Sequence, residues 1–158
     1  MLSLDELRAD VGRGAIDTVV VAFTDMQGRL MGKRLQADFF LDDALEHGVE
    51  GCNYLLALEM EMDPVPGYEM ASWERGYGDF RLAPDLATLR RVPWLEGTAL
   101  VLADVLLHEG SPVVASPRQV LARQVERARA MGFEPMFGSE LEFFLLKETE
   151  RERMFERG

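Results

Sequence analysis

The sequence is poor in the residues that build disulfide frameworks and nucleic-acid interfaces. Only one of its 158 residues is a cysteine, Cys52, which excludes a disulfide within the chain and is typical of a reducing compartment. The 17 lysines and arginines stand against 28 aspartates and glutamates, so the formal net charge is -11. Because binding to a phosphate backbone relies on basic patches that release counterions, we expect no nucleic-acid partner.

Long apolar runs are also missing. No stretch approaches the roughly 18 consecutive apolar residues of a membrane-spanning helix, and the acidic start of the chain lacks the basic flank of a signal peptide. We therefore expect no membrane partner and a cytoplasmic location. Apolar residues still make up 47% of the chain, which is enough to bury a real core.

Signals for a self-contained catalytic site are scarce. The sequence has no glycine-rich phosphate-binding loop, and its two histidines, His47 and His108, lie outside any ligand-like pattern. His47 fits the C-terminus of a predicted helix, where a partial positive charge suits the helix dipole. No motif therefore predicts that this chain alone binds a nucleotide.

Apolar periodicity and turn residues predict a mixed α and β order. Ser3 and Glu6 form a capping-box pattern that opens a first helix, and two β-branched or apolar runs around a turn predict a hairpin. In chain order, the predicted elements are a helix from Ser3 to about Val11, strands over 17–24 and 29–35 around the turn 25–28, a helix over 37–47, and a strand over 51–58. They continue with a strand over 79–82, a turn-rich connection over 84–93, a strand over 98–107, a helix from Ser116-Pro117 to Gly132, and a strand over 133–146.

Residues 59–78 contain proline and glycine breakers without apolar periodicity, and they predict a long loop. Ordered loops of this length tend to be functional, although idle ones exist. Trp73 and Tyr77 in this loop either line a pocket or only anchor the loop, and the sequence favours neither role.

Two glutamates stand two residues apart in the last predicted strand. Side chains alternate along a strand, so Glu140 and Glu142 project from the same face, with roughly 7 Å between their Cα atoms. Two such carboxylates repel each other and lose hydration if they are buried, and a hard divalent cation removes both penalties. The pair therefore indicates either a metal or catalytic site or an ordinary solvated strand face.

Several short motifs occur in the order found in one enzyme family. They are Val21-Ala22-Phe23-Thr24-Asp25 with Gly28 and Gly32-Lys33, Gly78-Asp79-Phe80-Arg81-Leu82-Ala83-Pro84-Asp85 with Thr88, Pro93-Trp94, Asp104, Pro117-Arg118 with Leu121, and Gly138-Ser139-Glu140-Leu141-Glu142-Phe143-Phe144. From about Asp17 to Leu146 the sequence resembles the N-terminal third of a bacterial-type glutamine synthetase or of a related γ-glutamyl-amine ligase. Each motif alone is weak, whereas the ordered set is specific.

The resemblance implies an α+β fold, in which a β-grasp-like N-terminal domain precedes the first helix and strand of a catalytic domain. We place an N-terminal helix at 1–14, the β-grasp-like domain at 15–114 and the start of a truncated catalytic domain at 115–158. The charged tail, 147–158, adds no element that would cover the strand before it. We therefore expect a fragment of a longer enzyme that is inactive alone.

The family's chemistry implies a metal-dependent ligase. ATP phosphorylates the side-chain carboxylate of glutamate, and ammonium or an amine then attacks the γ-glutamyl phosphate. By position in the motif, Glu140 resembles a ligand of the Mg²⁺ or Mn²⁺ ion that bridges the ATP phosphates, and Glu142 a ligand of the ion near glutamate and the amine. Such enzymes form homo-oligomeric rings, and Asp79 matches an aspartate that is offered to the neighbouring subunit's site to hold or deprotonate the amine. In a second reading, Asp79 caps the loop beside Gly78.

One departure from the family bears on the amine. Where bacterial-type glutamine synthetases carry an Asp-Gly-Ser-Ser motif, this chain has the Met-rich segment 56–63. Glu59, Glu61 or Asp63 could replace the missing aspartate, while the methionines either adapt to a larger amine or fill core. We therefore favour a γ-glutamyl-amine ligase over an enzyme that uses ammonium.

A non-catalytic reading stays open beside the ligase. The chain could be a glutamine synthetase-like interaction or oligomerisation module. Retention of both Glu140 and Glu142 favours the ligase, because a docking module has no use for paired carboxylates.

Overall fold

Over residues 1–68 and 76–147, which the computed structural model describes, five strands form one sheet with helices beside it. The helices are α1 (Leu4–Gly12), α2 (Ala37–Phe39), α3 (Leu45–His47) and α4 (Pro117–Ala130), with a π-helical segment at Phe40–Ala44 and a 3-10 helix at Asn53–Leu56. The strands are β1 (Thr18–Thr24), β2 (Leu30–Gln36), β3 (Val49–Cys52), β4 (Asp79–Arg91) and β5 (Thr98–Leu106). Among the helices of this described part, none is both long and apolar enough to cross a bilayer.

The sheet has the strand order β2-β1-β5-β4-β3, with β1 and β5 parallel and all other neighbours antiparallel. The predicted hairpin is confirmed, since Thr18 pairs with Gln36 and Thr24 pairs with Leu30 across β1 and β2. Parallel neighbours need a long crossover connection, which the segment between β2 and β5 supplies. The fold is α+β, as the sequence predicted.

The core combines one face of the sheet with α1 and the helical segment 37–47. Side chains alternate along β5, so that every second residue from Ala99 to Val105 is buried in this core. Phe23 of β1 and Phe80 of β4 meet edge to face with their ring centroids 5.2 Å apart, although β5 lies between their strands. The sheet is therefore strongly coiled, which brings side chains of non-adjacent strands together.

Both predicted N-terminal helices are confirmed. The Ser3 hydroxyl accepts from the Glu6 N–H at 3.2 Å, and the Glu6 carboxylate accepts from the Ser3 N–H at 2.7 Å, which completes the capping box of α1. The segment 37–47 is helical throughout, although its middle is a π-helix. It ends at Gly48, whose φ of 74° glycine adopts without steric cost.

The segment 79–91 corrects the prediction of a short strand followed by a turn-rich connection. It forms one long strand, β4, with a register irregularity between Asp85 and Arg90. The Thr88 hydroxyl holds this irregularity, since it donates to the Asp85 carbonyl at 2.7 Å and accepts from the Leu102 N–H of β5 at 2.8 Å. The turn residues thus mark a bulge inside a strand and not the end of one.

The strand predicted over 51–58 is shorter and lies earlier in the chain. β3 covers Val49–Cys52, and the 3-10 helix follows it directly. Cys52 pairs with Asp79, the first residue of β4, and beyond the Asn53 N–H, which donates to the Gly78 carbonyl, no named strand of the described residues pairs with this segment. Backbone groups without a ladder partner turn to local helical hydrogen bonds instead.

The strand predicted over 133–146 is wrong for this chain. Helix α4 forms close to its predicted limits, but residues 133–147 after it are not in a strand. Apolar and β-forming residues need a neighbouring strand to complete their hydrogen bonds, and none of the five strands pairs with this segment. The residues after 147 lie outside the described part of the chain.

A buried carboxylate ties α1 to the sheet. Asp10 is only 2% exposed, and it forms ion pairs with Arg13 and with Arg91 at the end of β4. Its backbone carbonyl also accepts hydrogen bonds from the N–H groups of Ala15 and Ile16. Because an unpaired buried charge is costly, the arginines allow this carboxylate to remain in the interior.

We predict that Asp10→Asn lowers the free energy of unfolding by about 1–3 kcal/mol, because the amide keeps the shape but loses two charge-assisted contacts. Urea denaturation measures this loss. Asp5→Asn, at an exposed position of the same helix, is the matched control and should cost only about 0.3–1 kcal/mol. Equal effects of the two substitutions would contradict the ion-pair role of Asp10.

Candidate functional site

One end of the sheet gathers the turns and loops of interest. β1 and β5 run parallel and end there, while β3 ends and β4 begins there, since Cys52 pairs with Asp79 and Arg81 pairs with Leu106. The turn 25–29, the loop after β3, Asp79 and the turn after β5 therefore share this side. We call it the loop end of the sheet.

Asp79 opens β4 at the loop end, and its side chain is exposed. The Gly78 N–H donates to Asn53 Oδ1 at 3.2 Å, so this part of the loop is held by Asn53. Among the described residues, the Asp79 carboxylate makes no hydrogen bond or ion pair. It borders a groove of about 380 Å³ whose wall includes Phe80 and Val113.

The coiling of the sheet also brings its two edge strands to one small groove. β2 contributes Lys33, β3 contributes Glu50 and Cys52, and Asp79 completes the wall of this space of about 190 Å³. The residues that line it thus include one lysine, two acidic residues and the cysteine. Sequence reasoning missed this grouping because β2 and β3 are at opposite edges of the sheet.

The first part of the predicted long loop forms an ordered turn together with the two residues before it; we call this segment, residues 57–65, the acidic turn. The Glu59 N–H donates to the Asp63 carbonyl at 3.0 Å, and the Met62 N–H donates to the Glu59 carbonyl at 3.1 Å. Met62 has a φ of 71°, a left-handed conformation that is uncommon outside glycine. The backbone of the acidic turn therefore has a specific, tightly folded shape.

The side chains at the tip of the acidic turn, residues 59–63, are exposed, whereas Ala57 and Leu58 at its start are buried. Glu59, Glu61 and Asp63 are exposed, and Met60 and Met62 are 59% and 42% exposed. The core-filling reading of these two methionines is therefore wrong. The turn presents carboxylates and thioether chains together at the loop end.

Of the two loop aromatics for which the sequence left a choice of roles, Trp73 and Tyr77, Trp73 lies outside the described residues. Tyr77 contacts Tyr54 of the 3-10 helix edge to face, with ring centroids 5.8 Å apart. This contact fits the anchoring role for Tyr77.

The turn 25–29 contains a buried ion pair. Asp25 is 1% exposed, and Arg29 Nε donates to Asp25 Oδ2 at 2.7 Å. The backbone N–H groups of Gln27 and Arg29 donate to Asp25 Oδ1 at 3.0 and 2.8 Å. Burial raises the pKa of the Asp25 carboxyl, but hydrogen bonds from Arg29 and from these N–H groups outweigh burial and hold the pKa below its ordinary value.

The same turn binds the backbone of the acidic turn. Arg29 Nη1 donates to the Met60 carbonyl at 2.8 Å and Nη2 donates to the Glu59 carbonyl at 3.1 Å. Gln27 Nε2 donates to the Leu58 carbonyl at 2.8 Å. The sequence predicted a turn at 25–28 and placed Asp25 and Gly28 in a family motif, but it did not predict these contacts, because the partners lie about 30 positions further along the chain. An aspartate and an arginine four residues apart across the turn were the one local signal.

The two glutamates do not form a metal site in the described part of the chain. Glu140 and Glu142 are exposed, and within residues 1–68 and 76–147 no three histidine, cysteine, aspartate or glutamate side chains are grouped to hold an ion. Mg²⁺ demands a near-octahedral set of oxygen ligands, which two exposed carboxylates do not supply. Apolar neighbours in this segment are 80% to 93% exposed, namely Met136, Phe137, Leu141, Phe143, Phe144 and Leu145. The predicted ligands therefore stand among side chains that nothing described packs against.

Comparison with known proteins finds relatives over most of the chain. The family model of the glutamine synthetase catalytic domain matches residues 114–157. A γ-glutamylethanolamide synthetase from Streptomyces coelicolor is 58% identical over 148 residues, which are 94% of this chain and 32% of that protein. A glutamate–isopropylamine ligase from a Pseudomonas species is 35% identical over 144 residues, which are 91% of this chain and 31% of that protein.

A solved structure has a similar backbone. The crystal structure of a glutamine synthase homologue superposes with a TM-score of 0.61 at 25% sequence identity, and covers 73% of this chain and 27% of that chain. The chain thus spans about a third of the length of the curated relatives it matches.

We predict that the 158-residue chain binds Mg²⁺ or Mn²⁺ only weakly, because its paired glutamates lack further ligands. Titration calorimetry with MnCl₂ should show no tight stoichiometric site, and the Glu140→Gln, Glu142→Gln double variant should give the same trace. Tight binding that disappears in the double variant would show that the pair is already a complete site.

We also predict that the contribution of Asp25 to stability depends on pH. The folded pKa lies below the ordinary value of 3.8, so this contribution is complete above that value and is lost as the pH falls through the lowered pKa. Unfolding free energies of the wild type and Asp25→Asn should differ at about pH 7 and converge at about pH 2. Asp38→Asn, at an exposed position, is the control. A wild-type to Asp25→Asn difference that stays constant with pH would refute the prediction.

Proposed function

Because this chain belongs to the glutamine synthetase family, we propose that it forms the N-terminal third of an ATP-dependent ligase that joins glutamate to a small primary amine. The 58% identity to a γ-glutamylethanolamide synthetase carries this proposal, since it extends over 94% of the chain. In the reaction, a glutamate side-chain oxygen attacks the γ-phosphorus of ATP and ADP leaves. The amine nitrogen then attacks the γ-carbonyl carbon, phosphate leaves, and the nitrogen loses a proton.

We propose an amine with a carbon substituent, such as ethanolamine, as the acceptor in preference to ammonium. Two relatives support this choice, because their names specify ethanolamine and isopropylamine products or substrates. The exposed acidic turn supports it too, since Met60 and Met62 offer apolar contact beside the carboxylates of Glu59, Glu61 and Asp63. Carboxylates attract the ammonium form of an amine, and thioether chains adapt to its carbon part.

We propose that residues 15–114 form a β-grasp-like domain, with the helix at 1–14 packed on it, and that a catalytic domain begins at 115. The mixed sheet supports the first assignment, because its first and last strands lie parallel at its centre. The family-model match, which begins at residue 114, supports the boundary.

We propose Glu140 and Glu142 as ligands of two separate Mg²⁺ or Mn²⁺ ions in the longer ligase. The exposed apolar side chains around them support this, because they are free to pack against further parts of a catalytic domain. Bound ions of this kind neutralise charge on a transferring phosphoryl group. Within the described residues the ligand set for these ions is incomplete.

We propose that the ligase is a homo-oligomeric ring in which Asp79 serves the active site of a neighbouring subunit. The free carboxylate at the loop end supports this role, since it borders a groove and is not used by the described residues of its own chain. A carboxylate in that place holds the ammonium form of the amine or takes the proton that the nitrogen loses.

The isolated 158-residue chain is predicted to be inactive. Incubation with ATP, glutamate, Mg²⁺ and ethanolamine should release no phosphate above background and give no γ-glutamylethanolamide by mass spectrometry. Clear turnover that disappears in Glu142→Ala would contradict the proposal that the active site needs more than this chain.

Amine preference is predicted for the longer ligase that contains this sequence. Phosphate release should have a kcat/KM for ethanolamine at least about tenfold above that for ammonium, because one small apolar contact contributes that much discrimination. Isopropylamine and a polyamine complete the panel. Turnover with ammonium alone would defeat the amine assignment and leave a glutamine synthetase, and no turnover with any amine would favour the non-catalytic module.

A further inference from the structure

We propose that Arg29 is a positioning residue for amine selection, because it fixes the acidic turn, residues 57–65, to the buried carboxylate of Asp25. The role in amine selection rests on the proposed function. The fixed position of the turn is a property of this chain and is testable without activity.

The guanidinium of Arg29 joins two parts of the chain through separate nitrogens. Nε is committed to Asp25 Oδ2 at 2.7 Å, which leaves Nη1 and Nη2 to donate to the carbonyls of Met60 and Glu59 at 2.8 and 3.1 Å. Arginine holds its donors in a rigid planar fork, so orienting one nitrogen orients the others. A lysine ammonium in this place has no such fork.

The anchor of this arrangement is rigid. Asp25 is 1% exposed, its N–H donates to the Arg29 carbonyl at 2.9 Å, and its carboxylate accepts two further backbone N–H groups. The Arg29 side chain itself is only 26% exposed, so solvent reaches it less than it reaches the side chains of a surface ion pair. A partly buried pair of this kind is screened by solvent much less than an exposed ion pair.

Three successive peptide groups of the acidic turn are fixed from one side. Gln27 Nε2 donates to the Leu58 carbonyl at 2.8 Å, next to the two carbonyls that Arg29 holds. Fixing three neighbouring peptide planes fixes the directions in which the following side chains leave the backbone. The turn 25–29 therefore fixes the backbone that leads into the exposed Glu61, and the Glu59 N–H, which donates to the Asp63 carbonyl, carries the constraint to Asp63.

Amide hydrogen exchange of the 158-residue chain, read by NMR, tests the positioning. Arg29→Met removes the hydrogen bonds from the guanidinium to the Glu59 and Met60 carbonyls and so loosens the turn. The Glu59 and Met62 N–H groups, which donate within the turn, should then exchange at least about tenfold faster. The N–H groups of β5 in the same sample report the integrity of the fold and should keep their rates. Arg29→Lys should also release the turn, because it restores the charge without the fork.

Arg34→Met is the matched control, since Arg34 lies exposed on β2 close to Arg29 in the sequence. It should leave all these rates unchanged. Unchanged exchange of Glu59 and Met62 in Arg29→Met would overturn the proposal. So would an equal loss of protection in the turn and in β5, because Arg29 would then be a general stabilising residue.

Kinetics of the longer ligase test the role in amine selection. Arg29→Met should raise the KM for ethanolamine about tenfold or more and leave the KM for ATP unchanged, with kcat altered less than KM. A parallel rise in both KM values would overturn this role. Failure of the wild-type ligase to use any amine would refute the proposed function and would leave the exchange result standing.

Discussion

The parallel pairing of β1 with β5 at the centre of the sheet determines where the other parts of the molecule lie. Both strands direct apolar side chains into one core. Because they are parallel, the chain must return to the opposite end of the sheet before it enters β5. The strands therefore end on the same side, where the turn 25–29, the acidic turn and Asp79 meet. Coiling of this sheet also carries Phe23 to Phe80 across β5 and draws the edge strands towards one groove.

Charge is handled in opposite ways in the interior and on the exposed surface. Asp10 and Asp25 are buried and are matched by arginines, so each fastens one segment of the chain to another. Asp79, Glu140 and Glu142 are exposed. In the proposed ligase the first group holds the shape of the domain, and the second group acts only when a neighbouring subunit and further parts of the chain complete the site.

Local patterns in the sequence predicted the elements whose signals are local. The capping box of Ser3 and Glu6, the hairpin around 25–28 and the Ser116-Pro117 helix start all depend on residues a few positions apart. Predictions failed where distant residues decide the outcome, as at the bulge of β4, which a hydrogen bond between Thr88 and Leu102 stabilises. Arg29 contacts the acidic turn about 30 positions further along the chain, and no local periodicity predicts such a contact. The missing partner strand for 133–146 has the same origin, because strand pairing also depends on distant residues.

Mixing two inactive variants of the longer ligase tests most directly whether Asp79 of one chain serves a site that contains Glu142 of its neighbour. Asp79→Asn and Glu142→Gln subunits, exchanged in equal amounts and checked by native mass spectrometry, should regain about a quarter of wild-type activity, because that fraction of interfaces combines two unaltered halves. Mixed oligomers that regain no activity would place both residues in the same chain's site and contradict the shared active site.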